Sequence, residues 1–398
     1  MTLPPFTQSP LDPGFVQNPY PAYDRMRALG PLVYWTDYAM AAAAGHAQVS
    51  ALLRDRRFGR EVPVGKRRTV PPHLAAWQRV EDHSILEREP PTHTRLRKLV
   101  LHGFTSRRIA GLRPEIATLA HQLIDQFDGP EIDLLPQFAE RLPVILIARL
   151  IGVPEEMAAQ LLVWSHAMVA MYQARRDLAV EVAAGEAAAA FSAYLEGLIA
   201  ERRVAPGEDL LSSLIAARDG TDRLSDAEMI ATVILLLNAG HEATVHTLGN
   251  GVKAVLEADV NPRSTDPALL CEEILRHDPP LHMFTRYATE RVEVFGHVFE
   301  PGDQVALLLG AANRDPQVFE NPDRFLPDRT PNPHVSFGAG LHFCVGAPLA
   351  RAEVQIALPI LFERHPNLAL AEPPSYADRY HFHGLERLKI ALTGRVQV

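Results

Sequence analysis

Phe337-Gly338-Ala339-Gly340-Leu341-His342-Phe343-Cys344-Val345-Gly346 is the stretch that decides how this chain is read. It sets one cysteine in a glycine-rich turn, with a basic side chain two residues before it and a helical pattern just after. Gly340 and Gly346 admit backbone angles closed to other residues, so the turn can wrap tightly round the sulfur with its amides aimed at it. Beyond Gly346, Pro348 suits a first helical turn, and Leu349, Ile356 and Ile360 recur at helical spacing. The positive end of that helix faces Cys344 in this reading and favours its thiolate, a metal ligand or a nucleophile. The other cysteine is Cys271, so a four-cysteine zinc or iron–sulfur site cannot be built. Most lone cysteines are buried and structural. Here the glycine spacing, the aromatic seven residues ahead and the helix behind outweigh that reading.

Working outward, the 398 residues are 47% hydrophobic and 22% charged, an ordinary globular composition with ample core. No run of 18 apolar residues is found. The longest candidates, Val233 to Leu237 and Leu142 to Ile151, are too short or too broken by charge to span a bilayer. Met1 to Pro13 is polar and proline-rich, without a basic or an apolar signal region, so neither a leader nor a membrane anchor is expected. A net charge of −9 argues against nucleic acid as a partner. Two cysteines and no disulfide framework fit the cytoplasm.

The fold class expected is mainly α with a smaller β region, as one domain over 1–398. Its β-rich parts fall near 30–60 and 285–310, and its helical parts near 90–280 and 345–365. Pro21 to Leu29 and His46 to Arg54 read as helices, with a strand pair between them at Leu32 to Thr36 and Tyr38 to Ala42. From Thr92 to Glu257 the pattern is almost wholly helical, broken at Gly129-Pro130, Val153-Pro154 and Pro206-Gly207. One helix opens on the capping box Ser225-Asp226-Ala227-Glu228 and runs without proline to about Glu257, on the order of 50 Å. After Asp278-Pro279-Pro280 come strand-like pieces at Val292 to Phe295 and Gln304 to Leu309. A proline-rich aperiodic stretch, Asn313 to Phe337, then leads into the cysteine loop.

The loop resembles the haem-binding segment of the cytochrome P-450 family, Phe-x-x-Gly-x-x-x-Cys-x-Gly, and meets every fixed position. The likeness continues through Ala347-Pro348-Leu349-Ala350-Arg351 and covers the chain from Pro19 onward. It implies that Cys344 is the axial thiolate of haem b (iron protoporphyrin IX), within a loop that includes Phe337 and Gly346. It implies a long central helix over the haem and a charged cluster of Glu273, Arg276 and Arg329 fixing the fold behind it. His93, Arg97, Arg286 and His342 become partners of the haem propionates. The connection between Glu257 and Glu273 is shorter than the family's usual one.

Asn238-Ala239-Gly240-His241-Glu242-Ala243-Thr244 resembles the family's oxygen-binding motif, Ala/Gly-Gly-x-Asp/Glu-Thr. Gly240 and Glu242 match, but Ala243 occupies the threonine position. Thr244 lies about 100° further round the helix. The small residues also have a plain packing role, letting another helix come close. An ordered water, Thr244 or a polar group on the substrate is expected to complete proton delivery. Leu235, Asn238, Ala239, His282, Met283, Phe284, Phe382 and His383 are placed by position against the substrate, and Val62 to Ile85, with His73 and Trp77, is the expected lid.

The resemblance implies a monooxygenase acting with O2 on a small-to-medium organic substrate, by hydroxylation or O-dealkylation. Electrons would come from an external ferredoxin or flavodoxin-type donor, docking near Arg95, Lys98 and His102. Two alternatives stand beside it: a non-catalytic haem-based gas sensor, and a haem isomerase or dehydratase of the same fold.

Overall fold

The structure, a computed structural model, describes residues 2–66 and 69–393. Its axis is the helix Asp226–Glu257, 32 residues or about 48 Å long. The capping box forms as the sequence indicates. The Glu228 amide donates to Ser225 Oγ at 3.3 Å, and the Ser225 amide to Glu228 Oε2 at 2.9 Å. Along this central helix Val233, Ile234, Leu237, Leu248, Val252 and Val255 are all buried. They pack against Arg141–Ile151, Ala158–Val169 and Leu178–Val204 on one side and against Pro267–His277 and Ala347–Arg364 on the other.

The β region is a six-stranded sheet in the order Pro5–Phe6, Val33–Trp35, Met40–Ala43, Gln304–Leu308, Met283–Ala288, Phe58–Gly59. Met40–Ala43 runs parallel to Gln304–Leu308, with Ala42 opposite Ala306; Met283–Ala288 is antiparallel to it, with Arg286 opposite Val305. Val305 to Leu308 is fully buried, as a continuous apolar run in a covered strand should be. Helices Tyr20–Leu29 and His46–Arg54 fall where expected. Between Glu257 and Pro267 there is only a 3-10 turn at Pro262–Ser264, in keeping with the short connection.

Two features depart from expectation. Short strands at Ala369–Leu370, Ser375–Tyr376, Leu385–Arg387 and Lys389–Ala391 add a C-terminal β region, with Lys389–Ala391 pairing back to Glu131–Asp133. Strands of two or three residues carry no readable period. Among the described residues, the helix long and apolar enough by composition to cross a membrane is Leu178–Val204, with a window of mean hydropathy 1.3, rather than either stretch singled out above. Alanines raise that value. The helix lays Ala184, Ala188, Phe191, Leu195 and Ile199 against its neighbours, with Phe191 5.1 Å from the Trp164 ring.

Candidate functional site

The cysteine loop is shaped by close approach. Gly340 has φ +71°, and a Cβ there would sit 2.7 Å from the Leu53 carbonyl oxygen. Only glycine takes that turn against that wall. The Cys344 amide donates to Phe337 O at 3.0 Å, closing the loop. The helix Ala347–Arg364 starts directly behind it. Enclosure by protein raises the thiol pKa above its ordinary value; hydrogen bonds from the Gly346 and Ala347 amides and the charges of Arg97 and Arg351 oppose that. The donors aimed at sulfur are those expected; burial of the thiol opposes them, and a cation at the sulfur would favour the anion.

Behind the loop, Glu273 and Arg276 are fully buried and joined by two bonds of 2.7 Å. Arg329 Nε reaches Glu273 Oε2 at 3.0 Å, the Leu326 amide reaches Oε1 at 2.8 Å, and Asn332 Nδ2 reaches Oε2 at 3.3 Å. Arg276 spends its remaining donors on the carbonyls of Asn313, Pro322 and Arg324. The helix and the aperiodic stretch are thus tied at one point. A second pair went unnoticed in the sequence: Arg351 binds Glu272 at 2.6 and 2.8 Å and lies 4.5 Å over the Phe337 ring.

The four basic side chains expected at the propionates differ in what they already hold. Arg286 is 3% exposed, donates Nη1 to Thr285 O at 2.9 Å, and has no ion pair among the described residues. Burial, then repulsion from Arg60, pushes its pKa down to about 10. A cation in that condition is expensive unless an anion joins it. His93 is buried with Nδ1 unpartnered, and its pKa is held at about 4 by burial and by the charges of His342 and Arg97. Arg97 donates to Phe343 O at 2.8 Å, pinning helix Thr92–Gly103 to the loop. His342 bonds Glu89 Oε1 at 2.9 Å and sits 4.4 Å from the His93 ring, so part of its capacity is spent inside the chain.

On the central helix, Ala239 is exposed although both flanks of the helix are buried. Leu235 and Ala243, one turn before and after it, are partly exposed. The three form a small, apolar stripe open along one face. Gly240 is not part of it: a Cβ there would lie 3.1 Å from Ile147 Cγ1, so its smallness serves helix packing rather than cofactor approach. Thr244 is buried, and its hydroxyl donates to Gly240 O at 3.3 Å on the side facing Glu353. It does not replace the missing threonine.

Glu242 is buried among three imidazoles: His246 Nε2 lies 3.3 Å from Oε1, with His166 Nε2 and His241 Nε2 at 3.4 and 3.6 Å from Oε2. Burial works to raise its pKa, but the contact and charge of His246 and the charges of His241 and His166 prevail, holding the carboxyl well below the usual range. His166 comes from helix Ala158–Val169, and no motif announced it. Glu353, nine residues past Cys344, was also missed. Both its oxygens are buried without a conventional partner, and burial pushes its pKa up to about 8.

Two expected substrate contacts are displaced. His282 is fully buried, with Nδ1 2.9 Å from the Tyr23 hydroxyl; His383 bonds Asp278 at 2.9 Å and stacks on Tyr376 at 3.7 Å. Both belong to an interior polar network centred on Asp278, which also accepts from the hydroxyls of Tyr20 and Tyr376. Met283 is buried in the apolar packing under the sheet. Phe284 and Phe382 stay partly exposed, Phe284 lying 5.6 Å from Arg60 and 5.8 Å from Arg286. Asn238 donates to Met168 Sδ at 3.9 Å, with Oδ1 unpartnered. Of the cations expected to face an electron donor, Arg95 pairs with Glu228 and Lys98 with Asp219.

These features fit a flat dianionic metal macrocycle. A sulfur approached by amide donors, a buried guanidinium with no ion pair among the described residues, and a helix face kept open by small residues are the parts such a group needs. Comparison with known proteins agrees. Residues 269–368 match the family model described as cytochrome P-450. The biotin biosynthesis cytochrome P-450 of Bacillus subtilis is 36% identical over 387 residues, covering 94% of this chain and 96% of the relative. The cytochrome P-450 monooxygenase PikC of Streptomyces venezuelae is 37% identical over 380 residues, covering 90% and 87%. A crystal structure of P-450 BioI, in complex with acyl carrier protein ligated to hexadec-9Z-enoic acid, superposes with a TM-score of 0.90 at 35% identity, covering 95% and 99%. Loop, charge cluster and overall likeness converge: the chain belongs to the cytochrome P-450 family, as a haem b monooxygenase acting on a small molecule with O2.

Proposed function

We propose that Cys344 would hold the haem iron through its sulfur and that this enzyme oxygenates an extended, mainly apolar organic substrate, with electrons from a separate ferredoxin or flavodoxin-type donor in the cytoplasm. The observation that carries the assignment of Cys344 is its loop, where two amides aim at Sγ and Gly340 allows the turn. When bound, haem b supplies the reductive activation of O2 and the transfer of one oxygen atom to the substrate. The chain supplies ligand, counter-charge, proton and position. Arg286, with His93 as a neutral hydrogen-bonding neighbour, takes a propionate, while Arg97 and His342 close the edge of the loop. Glu242 is the proton carrier of the distal side. Its carboxylate stands one residue before Ala243, where no hydroxyl interrupts the stripe, so the last donor to the reacting oxygen is an ordered water or a polar group of the substrate.

The substrate class follows from the stripe Leu235, Ala239, Ala243, which offers apolar surface, with the Asn238 amide oxygen as a polar handle. The solved neighbour carrying an acyl-loaded carrier protein supports acyl chains, free or carrier-bound. For the donor, Leu101 and Phe343 are both exposed beside the loop, and Arg97 ties their two segments together. Apolar contact at that face is the reading favoured here, because Arg95 and Lys98 already hold partners. Cys344→Ser should abolish the thiolate-type carbon monoxide difference spectrum while leaving the fold intact by circular dichroism; survival of that spectrum refutes the assignment. A shift of the Soret band on adding fatty acids or acyl carrier conjugates tests the substrate class, and a flat response to all of them refutes it.

A further inference from the structure

We propose that His166, His241 and Glu242 form a binding site for a borderline divalent cation of the zinc class, bridging helix Ala158–Val169 to the central helix. Three observations carry it. His241 Nδ1 lies 2.8 Å from the Leu237 carbonyl, which can only accept, so that nitrogen bears the proton. In the neutral ring Nε2 then presents a lone pair to Glu242 Oε2 at 3.6 Å, with no hydrogen-bond partner and only 1% of the residue exposed. A lone pair facing a carboxylate is repulsive, and a cation between them, a proton or a metal ion, relieves it.

The spacing is the second observation. Ligands at about 2.0–2.1 Å from a tetrahedral zinc stand about 3.3–3.4 Å apart. Glu242 Oε2 lies 3.4 Å from His166 Nε2 and 3.6 Å from His241 Nε2, and all three candidate ligand atoms fall within 4.8 Å of one another. Third, the surrounding shell matches what metal-bound residues need. The Leu237 carbonyl fixes the His241 tautomer, and His246 Nε2 lies 3.3 Å from the other oxygen of Glu242, in contact but outside hydrogen-bond geometry. The His166 side chain is 43% exposed, which gives the ion a way in and leaves a coordination position for water. Glu140, at the start of the adjoining helix Arg141–Ile151, is the further charged group facing both His166 and Glu242, and it adds to the negative field.

Occupancy would fasten the two helices and withdraw Glu242 from proton handling. That consequence rests on the role given to Glu242 above; the site does not. The test uses the haem-loaded enzyme and zinc chloride as probe. Equilibrium dialysis should show one zinc per chain bound tightly enough to need a chelator for removal. His166→Gln, a change at a half-exposed side chain, and His241→Gln should each weaken binding at least about tenfold. Zinc-edge X-ray absorption should show nitrogen and oxygen ligands at about 2.0–2.1 Å and no sulfur at about 2.3 Å. Unchanged uptake in both variants, or a sulfur shell, overturns the site. If binding depends on both histidines but turnover ignores zinc, the site stands and the proton-carrying role of Glu242 falls.

Discussion

Replacing Glu273 by Gln changes one atom, and the structure predicts a disproportionate cost. Five donors converge on the two carboxylate oxygens: Nε and Nη2 of Arg276, Nε of Arg329, the Leu326 amide and Asn332 Nδ2. No acceptor is among them, so the new NH2 confronts donors whichever way the amide is turned. Placed at the Oε1 position it strands the Leu326 amide and one bond of Arg276; placed at Oε2 it strands three bonds. Each orphaned buried donor costs about 1–3 kcal/mol, and two guanidiniums lose their counter-charge, giving about 3–5 kcal/mol in all. That is a third or more of the stability of a typical domain, about 5–15 kcal/mol. Urea unfolding of the haem-free protein, followed by tryptophan fluorescence, measures it. The control is Glu300→Gln, where the Arg291 pair is largely exposed on both sides and should cost about 1 kcal/mol or less. Equal losses at the two positions, or a loss below about 1 kcal/mol at 273, would refute the reasoning.

Arg286→Met should behave oppositely, leaving the haem-free protein as stable or more so, because an unpaired buried charge is removed. Haem should then pass to apomyoglobin at least about tenfold faster; an unchanged transfer rate refutes its role as counter-charge. Ala243→Thr places a hydroxyl on the open stripe, where it can bond back to the Ala239 carbonyl. Product formed per reduced nicotinamide should fall sharply, and a clear rise would count against a pocket adapted to alanine. Glu353 has its folded pKa raised to about 8 from an ordinary 4.5, so the folded state holds a proton that the unfolded state has released across that window. Stability of the parent protein should therefore drop by roughly 1.4 kcal/mol per pH unit between those values through this group. Glu353→Gln should lack that slope, so its advantage in urea midpoint should be larger at pH 8 than at pH 5.

What the sequence disclosed and what it withheld follow one physical division. Ser225 and Glu228 are three residues apart, as are Glu273 and Arg276, so helical geometry alone makes them meet. The cysteine loop is likewise local. The missed contacts join distant segments: His166 to Glu242 across two helices, and His383 to Asp278 across 105 residues. His282 and His383 are placed in the pocket lining by position alone, and the buried Asp278 carboxylate draws both imidazoles inward instead. Gly240 fitted a motif, yet its open side meets Ile147, because a motif does not say which way a helix is rolled. Thr244 failed for the same reason, its hydroxyl satisfied within its own turn.

Gly384 precedes the strand Leu385–Arg387, and a Cβ there would lie 2.0 Å from the His246 ring. The backbone of the C-terminal hairpin therefore rests directly on the His246 ring of the central rod. Adding one methyl at that position would lever the hairpin outward and carry Phe382, two residues earlier, away from the rod. The seat of the hairpin is thus set by how closely its backbone meets one imidazole, and a change in the substrates admitted can begin at a residue that never meets them.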